Sequence, residues 1–179
     1  MLLIDDIQMI QECLNGNVES FGPVVRKYEK PLVRTAYRFL GNWDDAKDAT
    51  QDTFIKTYRS LDTFQQDRCF STWIYRILVN VCLDRLKSAH RRYQSQLSKP
   101  IQDRNNPNPL DRLAEKELLQ KTLNRLPIKR RRALILVDLE GFSSPEAAKI
   151  IGCSKSTVRV TVMKARKQLR KIYLELNKF

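Results

Sequence analysis

The stretch SSPEAAKIIGCSKSTVRV, residues 143–160, decides the fold of the C-terminal half of the chain. Residues 143–146 fit a capping box at the start of a short helix, and Gly152 supplies a turn after it. Ser154 can cap a second helix, which we expect to cover residues 155–176. A short helix, a tight turn and a second helix predict a helix-turn-helix unit.

The second helix of this unit has two different faces. Its inward stripe is apolar and consists of Val158, Val162, Ala165, Leu169 and Ile172. Its outward residues near the N-terminal end are Lys155, Ser156, Arg159, Val160, Met163, Lys164 and Arg166. In DNA-binding units the early outward residues reach base edges in the major groove and the later basic ones meet phosphates. We therefore predict DNA binding, with a helical hairpin for protein contact as the alternative.

The distribution of charge supports a polyanionic partner for this half. Of the net charge of +13 carried by 179 residues, residues 116–179 account for +11, with 16 basic against 5 acidic side chains. Residues 1–95 carry only +2, and within them residues 44–67 are acidic while residues 68–95 are basic. A protein that touches only DNA has little use for an acidic face, so two different partners are indicated.

The N-terminal half is helical by pattern. Its apolar spacing predicts three helices, at residues 21–40, 44–61 and 71–91. We expect the second helix to bury Ala49, Phe54, Tyr58 and Leu61. The third helix has an outer ridge of Trp73, Arg76, Asn80, Asp84 and Lys87. Aromatic, amide and basic groups on one ridge suit stacking and hydrogen bonding to unpaired bases, although a merely solvated ridge has the same pattern.

A linker divides the chain. Residues 94–111 contain three of the seven prolines and almost no apolar periodicity, which is typical of an extended linker. The predicted fold class is therefore all-α: two small helical domains joined by an extended linker, the C-terminal one containing the helix-turn-helix. We place the domains at residues 1–93 and 113–179, with the linker at residues 94–112.

Several classes of function are disfavoured by composition. The four cysteines lie far apart and the only histidine is His90, so the spacing does not favour a zinc site, and buried apolar thiols are expected instead. No apolar run approaches the roughly 20 residues needed to span a bilayer, and the first residues lack the pattern of a signal peptide. We expect a cytoplasmic protein without cofactor, metal or enzymatic activity.

Three stretches together resemble one family. They are DDAKDATQDTF at residues 44–54, FSTWIYRI at residues 70–77 followed by Asn80 and residues 84–86, and the run from residue 126 through residues 138–143 to residue 166. In this order, across a proline-containing linker, they resemble a bacterial RNA polymerase sigma factor of the extracytoplasmic-function (ECF) type, in the sigma-70 family. The resemblance covers residues 14–172.

The resemblance implies three sets of site residues. The part similar to the segment that docks on the clamp helices of core RNA polymerase provides Asp44, Asp45, Asp48, Gln51, Asp52 and Phe54. The part similar to the segment that melts and reads the minus-ten element provides Phe64 and Phe70, lining the pocket of a flipped base, Asn80 beneath it, and Trp73, Tyr75, Arg76 and Lys87 along the strand. The second C-terminal helix, with the outward residues given above, would read the minus-thirty-five element.

The resemblance also implies partners and shows departures. Core RNA polymerase and promoter DNA are the expected partners, together with an anti-sigma factor that holds the protein inactive, and membrane insertion is not expected. Family members commonly have a basic-Ser-Arg triplet on the recognition helix, where this chain has Arg159-Val160-Thr161. Lys47 stands where an acidic residue is commoner.

Two other interpretations remain open from the sequence. A helix-turn-helix regulator that acts without polymerase would explain the C-terminal half but leaves the ridge from Trp73 to Lys87 unexplained. A metal-dependent nuclease could use Asp44, Asp48 and Asp52, which share a helix face, but no general base or water-positioning group lies near them in the sequence.

Overall fold

The computed structural model describes residues 3–65, 69–95 and 112–176, and these residues form helices joined by short connections. The α-helices are α1 (Leu3–Leu14), α2 (Phe21–Leu40), α3 (Trp43–Arg59), α4 (Phe70–Ser95), α5 (Arg112–Asn124), α6 (Ile128–Leu134), α7 (Ser144–Ile151) and α8 (Lys155–Leu176). Two 3-10 turns lie at Val18–Ser20 and Leu61–Thr63, and a π-helical turn, Ile135–Leu139, continues α6. The all-α prediction is confirmed.

Helices α2, α3 and α4 pack around the core of the N-terminal domain. Leu32, Phe39, Phe70, Ile74 and Leu78 are almost completely removed from solvent there. The connection between α2 and α3 is short because Gly41 ends α2 in the left-handed conformation, with φ of 77°, and Asn42 at once caps α3. The Asn42 side chain accepts from the backbone amides of Asp44 and Asp45, the second and third residues of α3, at 2.8 and 3.0 Å.

Helix α1, which was not predicted from the sequence, is joined to α2 by a buried carboxylate. Asp6 accepts hydrogen bonds from the Tyr28 hydroxyl at 2.7 Å and from Lys27 Nζ at 2.5 Å. Burial, reinforced by Asp6, raises the pKa of the Tyr28 phenol, so this group stays a hydrogen-bond donor. The interaction orders the N-terminal helix against the domain.

The C-terminal domain is built from α5 to α8. Its centre contains Leu134, Ile135 and Leu136, from the end of α6 and the π-helical turn, together with Ile150 of α7. Ala133 is buried beside them, so apolar side chains follow one another into the core where α6 passes into the π-helical turn. From α8, the predicted inward residues Val158, Val162, Ala165 and Ile172 are buried, and Leu169 is half-buried.

Some sequence predictions need correction. The third predicted helix is longer than residues 71–91, and it ends at Ser95, two residues past the predicted domain boundary. Tyr58, predicted to be buried, is 40% exposed, because α3 turns it to the rim where it only meets the edge of the Phe21 ring. Most of the predicted linker, residues 96–111, lies outside the described residues.

The two domains pack against each other mainly through α4 and α7, and the end of α2 also contacts the C-terminal domain. Arg38 of α2 forms an ion pair with Glu140 and also donates to the Leu139 carbonyl at 3.4 Å. The Tyr75 hydroxyl donates to Glu140 at 3.4 Å, and its ring meets Phe142 edge to face at 4.8 Å. Tyr75 is therefore buried by the opposite domain.

Two further polar side chains join the end of α2 to the C-terminal domain. Arg131 donates to the Phe39 carbonyl at 2.9 Å, and Gln120 donates to the Arg38 carbonyl at 3.3 Å. These carbonyls belong to the last turn of α2, where backbone acceptors have no partner within the helix. The C-terminal domain thus supplies side-chain caps for a helix of the N-terminal domain.

Candidate nucleic-acid and polymerase surfaces

The helix-turn-helix forms as the local sequence predicts. The Ser143 hydroxyl accepts from the Glu146 amide, and the Glu146 carboxylate accepts from the Ser143 amide at 2.8 Å, which completes the capping box. The Ser143 hydroxyl and the Ser143 amide both donate to the Glu146 carboxylate, which lowers the pKa of Glu146. Gly152 turns the chain with φ of 76°, and Ser154 accepts from the Thr157 amide at 3.1 Å to start α8. The start of α8 is therefore fixed relative to α7.

The predicted outward residues of α8 are all accessible. Lys155, Ser156, Arg159, Val160, Met163, Lys164 and Arg166 are exposed, while Val158 and Val162 face the core. Cationic and hydrogen-bonding groups therefore share one face with two apolar side chains at the N-terminal end of the helix. Such a face can meet phosphates and base edges of duplex DNA together.

Arg166 has an acidic partner within the domain. Its guanidinium donates to both carboxylate oxygens of Asp138, at 2.9 Å from Nε and 2.6 Å from Nη2. These hydrogen bonds raise the pKa of Arg166. The pair offsets the positive charge of Arg166. A phosphate would therefore be attracted more strongly to Lys164 than to Arg166.

The ridge of α4 is also accessible. Arg76, Asn80, Asp84 and Lys87 are exposed, and Trp73 is half-buried. Lys87 lies 3.5 Å from Asp84, and both side chains remain open to solvent. The amide of Asn80 and the guanidinium of Arg76 lie one helical turn apart on this surface, where they could contact a single strand.

Three residues predicted to meet the minus-ten strand are buried instead. Phe64 and Phe70 are 6% and 1% exposed, and their rings meet each other edge to face at 5.4 Å beside Trp73. Tyr75 is covered by the C-terminal domain, as described above. In the free chain the two apolar rings pack under α4 because they gain more there than by facing water, and their contact with a flipped base stays a prediction.

The acidic surface of α3 faces solvent. Asp44, Asp45, Asp48 and Gln51 are exposed, whereas Asp52 is half-buried. Phe54 is buried, as expected, and it lines an apolar groove between α2 and α3 together with Val25, Val33 and Trp43, so its place in the polymerase-binding surface stays a prediction. Trp43 stacks on Tyr37 with ring centroids 4.2 Å apart, which holds its ring at the edge of the groove.

Arg85 of α4 was missed by sequence reasoning. Its guanidinium lies 2.5 Å from Asp52 and 3.9 Å from Asp48, so one cation bridges two carboxylates of the acidic surface. The side chains of Asp48 and Asp52 remain 64% and 48% exposed. The pairing offsets part of the negative charge without removing the carboxylates from solvent. Sequence spacing gives no signal for it, since Arg85 is 33 positions from Asp52.

Among residues 3–65, 69–95 and 112–176, no three His, Cys, Asp or Glu side chains cluster in a way that could hold a metal ion. Cys13 and Cys82 are buried, as expected, and burial raises the pKa of the Cys82 thiol to about 12, while Cys69 and Cys153 are half-buried. None of the described helices combines the length and apolar character required to cross a membrane.

Two family models match the chain in order. The model for sigma-70 region 2 matches residues 24–92, and the model for sigma-70 region 4 matches residues 116–169. The first covers the acidic surface of α3 and the ridge of α4, and the second covers the helix-turn-helix.

Similar proteins match over nearly the full length. The ECF RNA polymerase sigma factor SigM of Mycobacterium tuberculosis is 32% identical over 176 residues, covering 96% of this chain and 86% of that protein. The ECF RNA polymerase sigma-E factor of Escherichia coli K12 is 31% identical over 178 residues, covering 93% of both chains.

A solved structure has a similar fold. The sigma factor RpoE of Bartonella quintana, determined in complex with the anti-sigma factor NepR, aligns with a TM-score of 0.74 and 27% identity, covering 89% of this chain and 99% of that one. These matches favour the sigma-factor interpretation over a regulator that acts without polymerase.

Proposed function

The chain belongs to the ECF RNA polymerase sigma factors, and we propose that its accessible surfaces divide the work of such a factor among α3, α4 and α8. As a sigma factor it directs core RNA polymerase to specific promoters and initiates transcription there. The bond-forming chemistry belongs to the polymerase, so this chain supplies recognition and strand separation and has no catalytic residue of its own.

In this proposal, α3 binds the polymerase. Asp44, Asp45, Asp48 and Gln51 present carboxylates and an amide to solvent in a protein that is otherwise basic. An acidic surface would repel DNA, so it suits a basic protein partner. The adjacent groove, with Trp43 at its edge and Phe54 in its wall, adds apolar area to the same surface.

Helices α4 and α8 bind DNA in two different states. The ridge of α4, with Arg76, Asn80 and Lys87 exposed, suits a separated strand of the minus-ten element. The outward face of α8 suits the major groove of duplex DNA at the minus-thirty-five element, because a helix fits that groove and its early residues reach base edges. In the free chain Phe64 and Phe70 support the α4 ridge from beneath, packed beside Trp73.

An anti-sigma factor and a cytoplasmic location complete the proposal. The similar solved structure is a complex with such a factor. An inhibitor of that kind would compete with the polymerase or the promoter for the same exposed surfaces. Because core polymerase and chromosomal DNA are in the cytoplasm of a bacterium, the chain would act there.

The observation that supports this function most directly is the near full-length match to an ECF sigma factor, since it includes both domains in order. The test is transcription in vitro from a promoter selected with the purified holoenzyme. Core polymerase alone should give no specific transcript, and addition of this chain should give one. A regulator without polymerase affinity would bind the promoter yet leave the core enzyme inactive.

A further inference from the structure

Two apolar side chains are exposed on the outward face of α8. Val160 is 47% exposed and Met163 is 62% exposed. They are three positions apart, so they lie next to each other on the helix surface. Val158 and Val162 face the core instead, so the exposed pair lies outside the core of the domain.

The surroundings of this pair are cationic. Lys155, Arg159 and Lys164 are exposed around it. An apolar pair surrounded by cations is complementary to a polyanion that has an apolar group at the centre of its surface. Duplex DNA has that character, because phosphates flank the major groove and the C5-methyl of thymine is the apolar group on its floor.

We propose that Val160 and Met163 are specificity-determining residues that contact the C5-methyl groups of two thymines at neighbouring base steps of the upstream promoter element. This rests on the proposed function of α8 in the major groove. Three residues advance a helix by about 4.5 Å, close to the roughly 3.4 Å between successive base pairs. Val160 can therefore reach the thymine of one base pair while Met163 reaches the thymine of the neighbouring base pair.

The experiment removes the methyl groups one at a time. The full chain bound to core polymerase first selects its upstream element from a duplex library randomised at that position. Each selected thymine is then replaced by deoxyuridine, which lacks only the methyl. We expect two neighbouring replacements each to weaken binding about fourfold, the value for one buried carbon of this kind, and other replacements to have no effect.

Alanine variants assign each methyl to its side chain. Val160→Ala should abolish the effect of deoxyuridine at one of the two steps, and Met163→Ala should abolish it at the other. Alanine favours helix, so both variants should fold, as circular dichroism can verify. Leu174→Ala, at an apolar position of α8 that is 52% exposed, is the matched control and should keep both effects.

The outcomes separate this inference from the function on which it rests. If the holoenzyme selects a defined element but deoxyuridine has no effect, or the two variants keep the full effect, the thymine contacts are wrong while the function stands. If the variants instead lose affinity for core polymerase, the pair contacts protein. If no element is selected above non-specific binding, the assignment of α8 to promoter DNA fails as well.

Discussion

Arg38, in the last turn of α2, forms an ion pair with Glu140, which directly follows the π-helical turn of the C-terminal domain. The Glu140 side chain is only 11% exposed and also accepts the hydrogen bond from Tyr75. One carboxylate therefore meets two helices of the other domain. Removing one partner of such a partly buried pair costs more than removing an exposed one, since a shielded charge is left without a counterion.

Reversing the charge of Arg38 should separate the domains. With Arg38→Glu, two carboxylates face each other, and small-angle X-ray scattering of the free chain should give a larger radius of gyration. The double variant Arg38→Glu with Glu140→Arg should return to the compact value. Lys171→Glu makes the same change of net charge at a side chain that is 80% exposed, so its radius should equal the wild type. An unchanged radius in Arg38→Glu would show that the ion pair does not hold the domains together.

The ionisation of Tyr75 should make stability depend on pH at the alkaline end. Burial, with the nearby Glu140 carboxylate, raises the pKa of Tyr75 to about 12. The unfolded chain releases this proton near pH 10 and the folded chain near pH 12, so the contribution is complete below pH 10 and is lost between the two values. The expected loss is roughly 2–3 kcal/mol.

Denaturant unfolding between pH 9 and 12 can isolate this contribution. Cys82, whose pKa is also raised to about 12, contributes equally in every variant, so the comparison is between proteins. Tyr75→Phe should lose less stability than the wild type over this range. Tyr173→Phe, at an exposed position, should follow the wild type. If the unfolding free energy of Tyr75→Phe fell with pH in parallel with that of the wild type, the Tyr75 phenol would not be shielded in solution.

The acidic surface of α3 can be tested by a charge reversal. Asp48→Arg should weaken binding of core polymerase by roughly tenfold, about 1.4 kcal/mol, because it replaces an attraction by a repulsion in the proposed contact. Fluorescence anisotropy of the labelled chain, titrated with core enzyme, measures the affinity. Asp62→Arg alters an exposed acid outside α3 and should bind normally. Equal weakening by both variants would indicate a general charge effect instead.

The ridge of α4 can be tested at Asn80. Asn80→Ala removes an exposed amide and should reduce heparin-resistant open complexes several-fold, while affinity for core polymerase stays unchanged. Permanganate reactivity of unpaired thymines reports strand separation directly. Asn15→Ala, at another exposed asparagine, is the control. Normal open complexes with Asn80→Ala would exclude a contact between this amide and the melted strand.

The upstream element can be tested at Arg159. Arg159→Ala should cost about 1–3 kcal/mol of promoter affinity and relax the preference at one base pair, if the guanidinium donates to a base edge. Competition between the cognate duplex and single-base variants measures both effects. A uniform loss over all sequences would identify Arg159 as a phosphate contact.

Local sequence rules predicted the helices well where apolar residues recur at helical spacing along one face. The end of α2 at Gly41, the capping box at Ser143 and the start of α8 at Lys155 were all predicted, because each depends on a few neighbouring residues. The predicted burial of Tyr58 was wrong because an aromatic residue at helical spacing can also lie at the rim of a core. Helix α1 was missed because Asp6, which joins it to α2, reads as a surface residue in the sequence.

Contacts between distant parts of the chain could not be predicted. Arg85 contacts Asp52 only after α3 and α4 have packed together. Glu140 contacts Arg38 only after the two domains have packed together. The same limitation explains why the burial of Phe64 and Phe70 was not predicted. The resemblance indicated their positions along the chain but not the direction in which each ring points. Exposure of Asn80 and Arg159, in contrast, followed from helical periodicity alone.

The packing of the two domains has a consequence for promoter affinity. Elements centred at minus ten and minus thirty-five are roughly 85 Å apart on straight duplex at about 3.4 Å per base pair, whereas a compact body of this length is roughly 40 Å across. A molecule held shut by Glu140 cannot span that distance, so only the fraction with parted domains engages both elements. The apparent dissociation constant rises in inverse proportion to that fraction, and any ligand that prefers the parted form would tighten promoter binding without touching DNA.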